Sequence, residues 1–366
     1  MSEQLENLNR LPLRDDLRGL TPYGAPQLDV PILLNVNENT HGLPEHVRRA
    51  IVAEVESAVG GLNRYPDREF TQLRENLARY LGHGLAPENI WAGNGSNEVL
   101  QQILQAFGGP GRTAMSFPPT YSMYPLLASG TGTAYVTGTR EADFSLTPES
   151  AGAQIRAQAP NIIILCTPNN PTGTALGLDV IKAAYEAGEA SNAIVVVDEA
   201  YAEFSHADTP SALQLLPGRE RLIVSRTMSK AFALAGARIG YLAAAPQIAD
   251  ALRLVRLPYH LSAITQATAN AALTHADALL SNVEDIKAQR DRIVRELADL
   301  GLDPAPSDAN FVLFGGMENP RAVWEGLLEA GVLVRDIGIE GHLRVTAGTE
   351  AETDTFLSVL RSLLPA

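Results

Sequence analysis

The stretch Ala193-Ile194-Val195-Val196-Val197-Asp198-Glu199-Ala200-Tyr201 is a short, mostly β-branched run that stops on a carboxylate. Such a run reads as a strand. Asp198 at its end is costly to bury unless a cationic or hydrogen-bonding partner meets it. An aspartate that merely caps the next turn is the alternative. Working outward, comparable runs lie at residues 89–92, 112–116, 134–137, 161–166 and 221–225, with helical patterns between them. One of these, at 98–107, carries Val99, Leu100, Ile103, Leu104 and Phe107 on a single face. Strands alternating with helices from about residue 45 to 258 predict an α/β fold with a mostly parallel sheet flanked by helices.

After Pro258 the pattern changes. A helical stretch over about 262–300 precedes shorter strand candidates at 309–314, 331–335 and 342–346, which suggests a smaller α+β unit. Residues 1–35 hold scattered prolines and no sustained period, so they read as an arm lying on something else. The expected organisation is an arm at 1–35, a large unit at 36–258 and a small C-terminal unit at 259–366. A chain of 366 residues exceeds what one hydrophobic core usually supports, which agrees with that division.

A net charge of -14 argues against nucleic acid or an anionic membrane surface as the main partner. Any anionic ligand must therefore be met by a local cluster of donors. The single cysteine, Cys166, cannot form an internal disulfide, and its apolar run makes it a buried structural thiol rather than a nucleophile. Residues 1–10 lack the apolar core of a signal peptide, and no run of about 18 apolar residues occurs. A cytoplasmic location is expected, and no metal ion.

In open α/β sheets, ligands sit beyond the carboxyl ends of the strands. Four polar segments here directly follow strand candidates: Gly93-Asn94-Gly95-Ser96-Asn97, Thr167-Pro168-Asn169-Asn170-Pro171-Thr172-Gly173, Asp198-Glu199-Ala200-Tyr201 and Arg226-Thr227-Met228-Ser229-Lys230. If the strands are parallel neighbours, all four project into one crevice. The first opens an amphipathic helix, whose free N–H groups and dipole suit a phosphate, although many such turns only cap a helix. Glu98 stands where a dinucleotide fingerprint needs its third glycine, and Gly108-Gly109-Pro110-Gly111 lacks the lysine of a phosphate-binding loop. Thr227, Ser229 and Arg238 are the donors a dianionic phosphate needs, and they place the Lys230 amine near the same ligand. A protonated pyridine nitrogen is a partner that would suit Asp198.

At this point the residues match a family. Asn169-Asn170-Pro171-Thr172-Gly173, Asp198-Glu199-Ala200-Tyr201 and Ser229-Lys230 with Arg238 resemble the fold-type I, pyridoxal-phosphate-dependent aminotransferases. Asn35-Val36-Asn37-Glu38-Asn39, Asn63-Arg64-Tyr65-Pro66-Asp67, Arg226-Thr227-Met228-Ser229-Lys230-Ala231-Phe232 and Leu343-Arg344-Val345-Thr346 narrow the resemblance to the histidinol-phosphate aminotransferases. Pro22-Tyr23-Gly24-Ala25-Pro26-Gln27-Leu28 and Gly95-Ser96-Asn97-Glu98-Val99-Leu100-Gln101-Gln102 look like their actinobacterial branch. One departure stands out: Thr40 follows Asn-Glu-Asn where that family usually has proline.

The resemblance implies pyridoxal 5'-phosphate carried by Lys230 as a Schiff base, with Lys230 also moving the substrate's proton. It gives Asp198 the ring nitrogen, Asn170 and Tyr201 the ring hydroxyl, and Tyr121 the ring face. The phosphate falls to Gly95, Ser96, Thr227, Ser229 and Arg238, with Asn97 beside them. Arg344, with Arg335 as a second candidate, would hold the substrate anion, and Asn37, Tyr23 and Tyr259 would line the substrate pocket. Tyr65 would reach the neighbouring subunit's site, which implies a homodimer. The implied substrates are histidinol phosphate and glutamate or 2-oxoglutarate. Three other readings stay open: an aromatic amino acid aminotransferase, a phosphothreonine-type decarboxylase, and a regulatory protein that binds the cofactor without turnover. The last lacks any basic helix-turn-helix before residue 35.

Overall fold

A computed structural model describes residues 10–19, 24 and 26–364. Its strands, in chain order, are β1 (Ile32–Leu33), β2 (Ile90–Gly93), β3 (Thr113–Ser116), β4 (Ala134–Thr137), β5 (Ile162–Cys166), β6 (Ile194–Asp198), β7 (Leu222–Thr227), β8 (Gly240–Ala244), β9 (Asp303–Pro304), β10 (Phe311–Gly315), β11 (Val332–Leu333) and β12 (Leu343–Thr346). Seven of them form one sheet in the order β2-β8-β7-β6-β5-β3-β4. The strands from β4 across to β7 run parallel, and β8 is antiparallel to both β7 and β2. Every residue of β5 and β6 is buried. Both faces of the sheet centre are therefore covered, which is why these strands are unbroken apolar runs instead of alternating ones.

The six strands expected in this region all form, each within about two residues of its expected ends. Two differences have physical causes. β7 continues to Thr227, because Arg226 and Thr227 still pair with Tyr241 and Gly240 of β8. β8 itself was not expected: Gly240-Tyr241-Leu242-Ala243-Ala244 is rich in residues that disfavour strands. Complete burial between β7 and β2 overrides that preference.

Helices Ala263–Thr274, Ala276–Leu280 and Val283–Asp299 occupy the stretch expected to be helical at 262–300. A three-stranded antiparallel sheet, β12-β10-β9, follows. The run at 331–335 forms no strand of that sheet and touches it only where Arg335 bridges to Arg344 of β12. Its β11 pairs in parallel with β1, matching Ile32 to Val332 and Leu33 to Leu333, so the segment before residue 35 is stitched to the C-terminal part. A second tie is Arg290, whose side chain is 0% exposed. Its Nη1 donates to the carbonyls of Phe204 (2.7 Å) and Ala309 (3.2 Å), joining the loop after β6 to the start of β10.

Gly240, at the start of β8, lies under the N-terminus of the helix Ser96–Phe107. A Cβ there would overlap the backbone of Gly95 and Ser96, neither of which can swing away as a side chain does. We expect Gly240→Ala to destabilise the protein by roughly 3 kcal/mol, the upper end for overpacking. Urea denaturation measures this, and an unchanged midpoint would disprove the close approach.

Candidate active site

Asp198 and Glu199 are neighbours in sequence and opposites in environment, because side chains alternate at the end of a strand. Asp198 faces the cleft beyond the sheet and is 2% exposed. Its Oδ2 accepts from the Tyr124 hydroxyl at 2.8 Å and its Oδ1 from the Ser225 hydroxyl at 3.0 Å. Burial pushes this carboxyl above the usual carboxylate range, while the two hydroxyl donors pull it back. Glu199 points elsewhere, into a buried ion pair with Arg226 at 2.8 Å, and also accepts from Ser211 Oγ and Ala212 N. That pair tethers the end of β7 to the turn after β6.

Lys230 follows β7 and lines the same cleft. Its Nζ donates to the carbonyl of Val36 at 3.1 Å and stands 5.9 Å from the centre of the Tyr201 ring. Burial lowers its pKa to about 8, with Arg344 and Arg238 adding to the effect and Glu38 opposing it. A buried amine that is partly neutral near physiological pH is a competent nucleophile and base. The Tyr201 hydroxyl accepts from Asn37 Nδ2 at 3.0 Å and lies 3.4 Å from Asn170 Nδ2. Tyr121 lines the cleft beside them and donates to Asn97 Oδ1 at 3.2 Å.

Part of the cleft wall is an anion cup. Gly95, with φ at 86°, turns the chain into the helix Ser96–Phe107, whose first N–H groups have no acceptor within the helix. Thr227, Ser229 and Arg238 stand opposite them. Thr227 Oγ1 and Ser229 Oγ are 3.0 Å apart, and Arg238 Nη1 is 3.4 Å from Ser229 Oγ. A side chain at Gly95 would strike Arg238 Nη2 and fill the cup.

Two arginines also line the cleft. Arg344 is buried and donates to Asn170 Oδ1 at 2.6 Å and to the Asn35 carbonyl at 2.9 Å. Arg335 pairs with Arg344 through the backbone and lines the same cleft, and its buried Nη1 has no hydrogen-bond partner among the described residues. Asn37, with φ at 57°, is held by Thr346 and Asn310.

Tyr259, expected to line the substrate pocket, does not line this cleft, and Tyr65, expected to serve the neighbouring subunit, faces outward beside it. Tyr65 is 80% exposed and stacks on Tyr259, with ring centres 4.4 Å apart. Tyr23 lies outside the described residues. The unusual Thr40 donates its hydroxyl to Glu352 Oε2 at 2.6 Å. Glu352 is the third residue of the capping box that starts the helix Glu350–Leu363, so this hydroxyl fastens the loop where proline would have stiffened it.

The cleft holds ≈ 180 Å³. One water needs about 10–15 Å³, so a ligand with the bulk of pyridoxal phosphate has room. The donor set fits that cofactor as well: a cup for a dianion, a carboxylate free of cationic partners, a phenol and an amine. Sequence reading missed Tyr124 and Ser225, which hold Asp198, and the Val36 carbonyl that holds Lys230. Tyr124 left one signal, its place three residues after Tyr121, but nothing in that spacing points at a carboxylate. Among the described residues no group of three or more His, Cys, Asp or Glu could hold a metal, and no helix is long and apolar enough to cross a membrane.

Residues 29–360 match the family described as aminotransferase class I and II. The histidinol-phosphate aminotransferase of Paenarthrobacter aurescens is 72% identical over 364 residues, covering 100% of this chain and 98% of its own. That of Frankia casuarinae is 59% identical over 359 residues, covering 96% and 89%. Among solved structures, the histidinol-phosphate aminotransferase of Sinorhizobium meliloti in complex with pyridoxal-5'-phosphate superposes with a TM-score of 0.85 at 28% identity, covering 96% of this chain and 98% of that one. The chain therefore belongs to the class I and II aminotransferases, within the histidinol-phosphate aminotransferase family.

Proposed function

We propose that this chain moves an amino group between histidinol phosphate and 2-oxoglutarate, giving imidazole acetol phosphate and glutamate in histidine biosynthesis, with pyridoxal 5'-phosphate on Lys230. The observation that carries this reading is one cleft lined together by a buried carboxylate, a lysine, an anion cup and two arginines. The relatives' shared name over the whole chain supports the substrate. When bound, the cofactor supplies an aldehyde for covalent capture of amines and a protonated ring that accepts electron density as the substrate carbon loses its proton.

The chain's own residues do the rest. Asp198 holds the proton on the ring nitrogen, and Tyr201 with Asn170 grips the ring hydroxyl. Tyr121 packs on the ring face. The backbone of Gly95, Ser96 and Asn97 and the side chains of Thr227, Ser229 and Arg238 hold the phosphate. The Lys230 amine would take the proton from the substrate carbon and deliver it to the carbon that had been the cofactor's aldehyde. Arg344 and Arg335 meet the substrate's anionic end, phosphate in one half-reaction and carboxylate in the other, which a forked guanidinium accepts equally. Asn37 lines the same cleft and donates to the Tyr201 hydroxyl.

The reading includes a homodimer in the cytoplasm, with the site between a large unit at 36–258 and a small unit at 259–366. Tyr65 and Tyr259, stacked on the outside of this chain, then serve the partner's substrate pocket. The exposed Leu62, Leu254 and Leu257, close to that pair along the chain, favour a covered surface there.

With 2-oxoglutarate as acceptor, the purified protein should turn over histidinol phosphate far faster than phenylalanine or tyrosine. Equal or reversed rates would favour the aromatic aminotransferase, and carbon dioxide release the decarboxylase. Lys230→Ala should remove the visible absorbance of bound cofactor and lower turnover by roughly 10⁴-fold or more; a variant of ordinary activity refutes the assigned role. Because burial brings the Lys230 amine down to about 8, its neutral fraction grows as pH rises toward that value and then levels off. Cofactor uptake by the apo protein, followed by stopped-flow absorbance, should thus speed up about tenfold per pH unit below 8 and plateau above it. A plateau reached only near the ordinary 10.5 would contradict the buried position.

A further inference from the structure

The Asp198 carboxylate is held by neutral donors alone. Each oxygen accepts one hydroxyl hydrogen, from Tyr124 at 2.8 Å and from Ser225 at 3.0 Å. Among the described residues no lysine or arginine forms an ion pair with it, whereas the adjacent Glu199 is paired with Arg226 at 2.8 Å. The difference matters chemically. A guanidinium would stabilise the carboxylate and also cancel its charge, leaving little attraction for a second cation. Two hydroxyls stabilise the anion and leave the charge in place.

Tyr124 is also costly to keep where it is. It is 0% exposed, and a buried phenol needs a partner for its O–H. It lies on the helix Met123–Gly130, three residues after Tyr121, and the two rings meet edge-on at 5.5 Å. One helix start thus supplies both an aromatic wall of the cleft and the donor for the carboxylate behind it. Ser225, on β7, pairs directly with Asp198 on β6, so the second donor is placed by sheet register.

We propose that Tyr124 and Ser225 act together as positioning residues that hold Asp198 as an oriented anion for the cationic ring nitrogen of the cofactor. This rests on the role assigned to Asp198 above. Removing either hydroxyl leaves a buried oxygen short of a donor. That favours the protonated acid, which cannot hold a cation.

The test uses the full-length protein with pyridoxal 5'-phosphate, comparing wild type with Tyr124→Phe and Ser225→Ala. Three quantities are read: cofactor affinity by equilibrium dialysis, kcat and KM for the amino donor, and the thermal midpoint of the cofactor-free protein. Cofactor affinity and kcat should each fall about tenfold or more, with KM within about twofold, whether or not the cofactor-free midpoint also drops. Variants that bind cofactor and turn over within about twofold of wild type, while melting earlier, would reduce both hydroxyls to packing and overturn the inference. Should Tyr124→Phe not fold, Ser225→Ala alone decides between the same two outcomes, since either donor is required. A wild-type protein that takes up no pyridoxal phosphate would instead refute the proposed function.

Discussion

A carboxylate taken out of water at the end of a fully apolar strand is the constraint around which this molecule is arranged. β5 and β6 are buried along both faces, so the side chain that ends β6 emerges from the lowest-dielectric part of the protein. An unpartnered ionised group there costs several kcal/mol. Tyr124 and Ser225 offset part of that by donating to its two oxygens. Neighbouring strand ends bring the other groups to the same place, because parallel strands aim their carboxyl ends at a common edge. The Lys230 amine, lowered to about 8 by the same burial, is the second half of the arrangement. Desolvation lowers the amine toward the range where proton exchange at neutral pH is possible, and it raises the acid against the pull of its two hydroxyl donors.

The segment from Asn35 to Thr40 carries this chemistry across to the C-terminal part. Val36 accepts from Lys230, Asn37 contacts Tyr201 and Thr346, and Asn35 accepts from Arg344. Just before it, β1 pairs with β11, and just after it Thr40 is fastened to Glu352. The site therefore depends on a strap tied at both ends to elements more than 290 residues later in the chain. Thr40 shows how a local departure is absorbed. A proline would restrict the loop through its own φ, whereas threonine restrains it through a hydrogen bond to a helix cap.

Much of the fold was readable because its strongest signals are local. Unbroken β-branched runs mark β5, β6 and β7 whatever surrounds them, and the polar segment after each marks the functional edge. β8 was unreadable for the opposite reason: its glycine and alanines signal nothing locally, and it is a strand only because β7 and β2 close over it. The extension of β7 to Thr227 has the same origin. In the site, residues of unusual type at strand ends were legible. Tyr124, Ser225 and the Val36 carbonyl were not, since an aromatic on a helix, a serine within a strand and a backbone oxygen carry no signature of the group they will touch.

Local sequence was enough to set the α/β class, the strands that carry the cleft, and the carboxylate, amine, hydroxyls and guanidinium that line it, because periodicity and residue chemistry act over a few neighbours. Only the tertiary structure decided that Asp198 is met by hydroxyls while Glu199 takes the arginine. It also decided that Arg335 and Arg344 share one cleft with Lys230 and that Tyr65 and Tyr259 stand outside it. Each of those outcomes depends on contacts between residues far apart in the chain, where burial and charge are set by whatever the fold brings near.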